Sequence, residues 1–141
     1  MSLPVRAFSA LAGLPKPRYP VRGEQDLRVP MPDGAVLLAD RWVPEGRDDA
    51  PIILARSPYG RRSAQILGKS VAAQGFQVVI QSCRGTFGST GAWRPFFNEE
   101  ADGRATLEWL EQQPWFTANV ATFGPSYVGL TQWSIAANPP H

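Results

Sequence analysis

The residues with the clearest chemical potential are Gly124-Pro125-Ser126-Tyr127-Val128-Gly129. A serine on a sharp strand-to-helix turn projects its hydroxyl above a sheet, where it can attack a carbonyl carbon. Flanking glycines relieve the crowding of so tight a bend. A helix starting at the serine adds backbone N–H donors and the positive end of its dipole beside the reacting carbonyl. The usual spacing is Gly-x-Ser-x-Gly, and here the second glycine falls one residue later. A bare Gly-x-Ser-x-x-Gly arises often by chance, so its weight comes from its surroundings. Asn119–Phe123 before it reads as a buried strand, and Tyr127–Ala137 after it as a helix with Leu130, Trp133 and Ala137 on one side. Such a serine needs a base, and the chain has one histidine, its last residue, His141.

The elements that would position Ser126 follow from the pattern of the chain. Residues 1–22 carry four prolines and no periodicity, and are read as an extended arm. Asp26–Met31 and Ala35–Val43 are strand-like, and Pro32-Asp33-Gly34 between them is hairpin-turn chemistry. Pro51–Ala55 and Phe76–Ile80 are short apolar runs of the kind buried on both faces of a parallel sheet. Between them, Ser63–Gln74 predicts a helix whose Ala64, Leu67, Gly68 and Val71 share a face, with Gly75 closing it. A long loop, Ser82 to Asn98, leads to a second helix capped by Asn98 and stopped by Pro114. Glu99, Glu100 and Asp102 favour its positive end, and Gly103, Thr106, Leu107 and Leu110 form its inner face. Alternating strands and helices predict a parallel sheet with right-handed crossovers and an antiparallel hairpin at its edge.

Bulk properties exclude several classes. The chain has 141 residues, 43% hydrophobic and 18% charged, with five Trp, seven Phe and three Tyr, which is a globular rather than a disordered composition. The net charge of +2 and the absence of a basic stripe argue against nucleic acid as a partner. Arg22, Arg28, Arg41, Arg47, Arg56, Arg61 and Arg62 are scattered among acids and apolar residues, as on a solvated surface. No apolar run is long enough to span a membrane, and the N-terminus makes a poor signal peptide. The single cysteine, Cys83, excludes a disulfide framework and fits a cytoplasmic protein. With no histidine near it, Cys83 reads as a small buried hydrophobe. Gly85, Gly88 and Gly91 lack the Gly-Lys-Ser/Thr of a phosphate loop, and the carboxylates lack histidines to complete a metal site.

Four ordered segments resemble the cocaine esterase / X-Pro dipeptidyl-peptidase / α-amino-acid ester hydrolase family. Met31-Pro32-Asp33-Gly34-Ala35-Val36-Leu37-Leu38-Ala39-Asp40 resembles its first hairpin, and Arg56-Ser57-Pro58-Tyr59 its R-x-P-Y segment. Gln81-Ser82-Cys83-Arg84-Gly85-Thr86-Phe87-Gly88-Ser89-Thr90-Gly91 resembles its Q-D-x-R-G-x-x-x-S-x-G loop, with Ser82 in place of the frequent aspartate. Gly124–Gly129 matches its own G-x-S-Y-x-G elbow, which accounts for the displaced glycine. The resemblance runs from about Arg22 to the C-terminus. It implies an α/β fold, the N-terminal part of an α/β-hydrolase with an incomplete sheet over residues 23–141.

By the same resemblance, Ser126 is the nucleophile of a serine hydrolase that cleaves an ester or amide through an acyl-enzyme. The Tyr59 hydroxyl and the Tyr127 backbone N–H are its oxyanion donors, and no cofactor or metal is required. The substrate is a small ester or amide or a peptide, with nothing to choose among them and nothing to set the oligomeric state. The family's acid and histidine follow the serine, beside a helical insertion and a jelly-roll domain. The chain is therefore read as a fragment, inactive alone, and His141 is not expected to be the base. The competing readings are a non-catalytic truncated domain that binds a partner, or one part of a split enzyme. For single residues, Ser126 could be only a helix cap and Tyr59 only a core aromatic. Arg84 is expected to tie its loop to neighbouring carbonyls or carboxylates, and Ser82 to affect the loop rather than the chemistry.

Overall fold

A computed structural model describes residues 2–136. The N-terminal segment departs first from expectation, because Leu3–Leu11 (α1) is helical rather than extended. Pro4 falls in its first turn, where a missing N–H costs no hydrogen bond. The other three prolines of the segment, Pro15, Pro17 and Pro20, all follow the helix. Val5 and Ser9, four residues apart, are its buried face.

Val21–Pro30 (β1) and Val36–Pro44 (β2) form the expected hairpin. Gly34 takes φ +85° in the turn, its N–H donates to Met31 O at 3.0 Å, and the Asp33 carboxylate accepts from Ala35 N–H at 3.2 Å. Ile52–Ser57 (β3), Gln65–Ala72 (α2), Gln77–Ser82 (β4), Glu99–Glu111 (α3), Val120–Thr122 (β5) and Tyr127–Ala136 (α4) follow. The sheet order is β1-β2-β4-β3-β5, with the β1/β2 and β2/β4 pairs antiparallel and the β4/β3 and β3/β5 pairs parallel. This is the expected edge hairpin beside parallel strands with crossover helices.

Every residue of β4, the middle strand, is buried. On one face Val29, Leu37, Leu54 and Val79 pack with Ala105 and Leu110 of α3. On the other, Trp42, Val78 and Ile80 pack with Ala72 of α2. A Cβ on Gly103 would stand 2.2 Å from Ile135 Cγ2, so only glycine lets α3 lie this close to α4.

Three further expectations are corrected. β5 is a short edge strand with Ala121 exposed, not a strand buried on both faces. α4 buries Val128, Thr131 and Ile135 and exposes Trp133, so it presents a different face from the Leu130–Trp133 side. Ala137 and Pro139-Pro140-His141 lie outside the described residues. The arginines are not all solvated, because Arg41 and Arg56 are 1% and 2% exposed. Arg41 bonds Gln77 and Glu24, with its guanidinium 4.0 Å over the Trp115 ring.

Candidate active site

The parallel strands β3, β4 and β5 end on the same side of the sheet, the place where open α/β sheets bind ligands. β5 runs into a turn of unusual backbone. Gly124 takes φ +142°, and Ser126 takes φ +56°, a left-handed conformation that costs a residue with a Cβ on the order of 1–2 kcal/mol. At Gly124 a Cβ would lie 2.2 Å from Val128 Cγ1. At Gly129 it would lie 3.3 Å from the Gly124 carbonyl oxygen. The displaced glycine therefore faces the first one across the bend, and both relieve the same crowding.

Gln132, which the sequence did not single out, braces the turn. Its Nε2 donates to Gly124 O at 2.9 Å and to Val128 O at 3.2 Å. Its Oε1 accepts from Thr122 Oγ1 at 3.0 Å. Strand end, turn and helix are thus tied by one amide.

Tyr59 follows β3 in the next turn. Its N–H donates to Ser57 Oγ at 3.1 Å, and Ser63 Oγ donates to its carbonyl at 3.1 Å. The phenol reaches across the strand ends to within 3.4 Å of Ser126 Oγ. Tyr59 is 54% exposed, so it is not a core aromatic. A carbonyl carbon about 3 Å from Ser126 Oγ would have its oxygen within reach of this hydroxyl. The Tyr127 N–H belongs to the first turn of α4, where backbone donors have no acceptor one turn earlier. Of the three residues named from the sequence, Tyr59 and Ser126 meet here, and Tyr127 follows Ser126 directly in the chain.

The Tyr127 side chain does different work. Its hydroxyl donates to Glu99 Oε1 at 2.8 Å and accepts from Phe96 N–H at 2.9 Å. Its ring packs against Trp93 and Phe96, with centroids 5.5 and 5.4 Å away. Burial, with Glu99 beside it, pushes the phenol up to about 12, so it remains a donor at neutral pH. The other oxygen of Glu99 accepts from Arg56 Nη2 at 2.9 Å, and the pair is 2% and 4% exposed. Arg56 Nη1 donates to Glu99 O at 2.8 Å and Nε to Gln81 Oε1 at 2.9 Å. Gln81 continues the chain to Thr106 and the Asp102 carbonyl. Thr131 Oγ1 on α4 donates to Arg56 O at 3.2 Å.

Glu99 and Asp102 lie in the first turn of α3, as expected, and are in addition buried partners of arginines. Asp102 binds Arg84 Nε and Nη2 at 3.0 and 2.6 Å, and Arg84 Nη1 reaches Asp33 at 2.7 Å. Asp102 above all holds the Arg84 guanidinium charged, and Arg84 in turn lowers Asp33. Arg84 ties its loop to carboxylates, as expected. Ser82 accepts from Arg61 Nη1 at 2.9 Å, and Arg61 finds its carboxylate in Asp40 at 3.0 Å. Ser82 is thus tied to Arg61, which also bonds Phe87 O in the loop.

Cys83 is fully buried, and burial pushes its thiol up to about 12, which makes it a poor nucleophile. Among the described residues no group of three or more His, Cys, Asp or Glu side chains could hold a metal ion. No helix among them is long and apolar enough to cross a membrane. His141, the single histidine, lies outside the described residues.

Comparison with known proteins agrees with this fold. The model of the X-Pro dipeptidyl-peptidase (S15) family matches residues 33–141. The cocaine esterase of Rhodococcus sp. (strain MB1 Bresler) is 37% identical over 121 residues, 80% of this chain and 21% of the esterase. The chain thus spans about a fifth of that relative's length. A CocE/NonD family hydrolase from Staphylococcus aureus superposes with a TM-score of 0.74 at 25% identity, over 86% of this chain and 26% of its own. An α-amino acid ester hydrolase superposes with a TM-score of 0.73 at 26% identity, over 84% of this chain and 23% of its own. The architecture is that of the N-terminal part of an α/β-hydrolase-like fold.

Proposed function

The chain belongs to the X-Pro dipeptidyl-peptidase (S15) family, and from that premise we propose that it carries the nucleophile half of a serine hydrolase site. Ser126 Oγ attacks an ester or amide carbonyl, and the Tyr59 hydroxyl and Tyr127 N–H receive the developing oxyanion. The leaving group departs as the acyl-enzyme forms, and water then releases the acid. The observation that carries this reading is the left-handed Ser126, φ +56°, with its hydroxyl 3.4 Å from the Tyr59 phenol. No cofactor takes part. The single cysteine, free and buried, fits a reducing, cytoplasmic setting.

The described residues hold no histidine, so the base this reading needs lies outside them. That same observation favours a second reading, in which these residues act as a non-catalytic module or as one part of a split enzyme. An active site without its base retains on the order of 10³–10⁴ over water from its oxyanion hole and binding. A small base in solution can stand in for the missing one. With p-nitrophenyl acetate and added imidazole, the chain should release one equivalent of p-nitrophenolate, above the steady release that imidazole alone causes, as Ser126 is acylated. Ser126→Ala should abolish that burst; a burst unchanged in the variant would refute the nucleophile assignment.

A further inference from the structure

The Tyr59 hydroxyl can serve the reaction only while it stays aimed at Ser126, and little around its ring holds it there. Tyr59 is 54% exposed and borders a cavity of about 510 Å³ that Asp26, Arg61 and Phe87 also line. Among the described residues its aim therefore comes from the turn after β3 rather than from packing. Arg61, two residues on, anchors that turn. We infer that Arg61 is a positioning residue for the oxyanion donor: clamped by Asp40 and Asp26 of the edge hairpin, it holds the turn that aims Tyr59 at Ser126. This role rests on the reading of Ser126 as nucleophile and Tyr59 as oxyanion donor, and it adds the residue that keeps the two within reach.

The Arg61 side chain is 10% exposed, and four of its five N–H groups donate. Nε donates to Asp40 Oδ1 at 3.0 Å and Nη2 to Asp26 Oδ1 at 2.5 Å. Nη1 donates to Ser82 Oγ at 2.9 Å and to Phe87 O at 3.0 Å. Asp40 is 4% exposed and also accepts from Asp26 N–H at 3.0 Å, so the two acids are locked to each other as well as to Arg61. A planar fork that meets acceptors in several directions fixes an orientation, which a single ion pair between flexible chains does not.

Two of these acceptors sit on strained backbone. Glu24 pairs with Arg41 and Leu27 with Ala39, so Gln25 and Asp26 together oppose Asp40 in a β-bulge. Asp26 takes φ +55° there, and Phe87 takes φ +43°. A residue with a Cβ keeps a left-handed backbone only where its surroundings hold it, and such positions cluster beside functional sites. Both residues are bonded to Arg61. At Gly60, φ +91°, a Cβ would stand 2.9 Å from the Phe87 ring, so the turn and the loop also meet directly. β3 pairs with β4 and β5 and not with the hairpin, and Arg61 spans the end of β4 at Ser82 to join the turn to it. None of the clamp belongs to β5 or α4, so a change in it reaches the reaction through Tyr59.

The test is acylation of Ser126 by p-nitrophenyl acetate with imidazole, in the parent and in Tyr59→Phe, at a temperature where every variant is folded. Arg61→Met should slow the parent by about tenfold to hundredfold, the scale of a reacting group displaced by an ångström. In Tyr59→Phe, where no hydroxyl remains to be aimed, the same change should alter the rate by less than about twofold. Asp26→Asn is milder, because asparagine tolerates the left-handed backbone. It should slow the parent by about two- to fivefold, the scale of one exposed ion pair, and leave Tyr59→Phe unchanged. Losses of equal size in both backgrounds, or rates untouched by both variants, would overturn the inference, since a merely structural role makes no distinction between them.

A spectroscopic reading needs no acylation. The chain has three tyrosines, Tyr19, Tyr59 and Tyr127, so labelled tyrosine rings give a simple spectrum. In the Ser126→Ala chain, Arg61→Met and Asp26→Asn should shift the Tyr59 ring resonances and leave the other two in place. A Tyr59 signal that moves no more than those of Tyr19 and Tyr127 would sink the positioning role even if Ser126 is acylated. A selective Tyr59 shift, with no acylation of Ser126 in the parent, would sink the nucleophile and keep the clamp.

Discussion

On its α3 side the Ser126 elbow rests on buried charge, and on its α2 side it borders an uncharged cavity. Toward α3, Arg56 and Glu99 form an ion pair almost closed to water, and Glu99 holds the Tyr127 phenol that starts α4. Toward α2, Phe8, Leu67, Ile80 and Val128 surround an open space with no charge in it. The contrast separates two tasks. Charge is used where it can be fully paired, and there it fixes the backbone that carries Ser126 and Tyr59. On the α2 flank it is absent from the lining, which is left to apolar and small polar side chains. Changes on the α3 side should therefore appear as lost stability, and changes at the reacting atoms as lost rate.

The largest effect should come from cutting the ion pair. Arg56→Met leaves Glu99 buried without its cation, and should lower stability by about 3–5 kcal/mol, read from the urea midpoint. A loss below about 1 kcal/mol would mean that the pair is solvated in practice, and the contrast between the flanks would fail.

Tyr59→Phe is the mirror experiment. The acylation rate with p-nitrophenyl acetate and imidazole should fall by about 10²–10³, the usual cost of one oxyanion donor. Stability should change by less than about 0.5 kcal/mol, because the hydroxyl is not buried structure. A variant that folds less stably but reacts normally would place Tyr59 with the scaffold.

Tyr127→Phe sharpens the division within one residue. Its hydroxyl is bonded to Glu99, while its backbone N–H is the proposed oxyanion donor. Loss of the hydroxyl should cost about 1–3 kcal/mol of stability, since a buried carboxylate oxygen loses its donor. The acylation rate should stay within a few-fold of the parent at a temperature where both are folded. A rate collapse would show that the phenol, not the amide, serves the reaction.

At neutral pH the smallest effect is that of alkali, which acts only well above it. Cys83 and Tyr127 both have pKa values raised by burial, each to about 12, from ordinary values of 9.0 and 10.0. Their neutral forms are the ones the fold favours. The stability they contribute is complete below the unfolded values and is lost as pH rises from about 9 through about 12. Urea midpoints should be level across neutral pH and fall over that interval, and Cys83→Ala should flatten the lower part of the fall.

Much of this was legible before any coordinates. The Pro32-Asp33-Gly34 turn, the two buried runs and the Gly124–Gly129 elbow are local patterns, and local patterns survive folding. The meeting of Tyr59 and Ser126 was reachable only through the ordered family segments, because 67 residues separate them. The ion pairs were hidden for a related reason. Arg56 and Glu99 are 43 residues apart, and each has the composition of a surface residue until its partner is known. α1 was missed because its one internal proline sits where a helix tolerates it. The face of α4 was misjudged because the helix is apolar nearly all round, so that Trp133 and Val128 look equally suited to burial.

The most direct measurement of the central assignment is where a covalent probe lands. The chain would be treated with a fluorophosphonate in the presence of imidazole, digested, and mapped by mass spectrometry. The expected result is one adduct, on the peptide holding Ser126, formed faster with imidazole, slowed in Tyr59→Phe and absent in Ser126→Ala. An adduct on another residue, or the same labelling in Ser126→Ala, would contradict it.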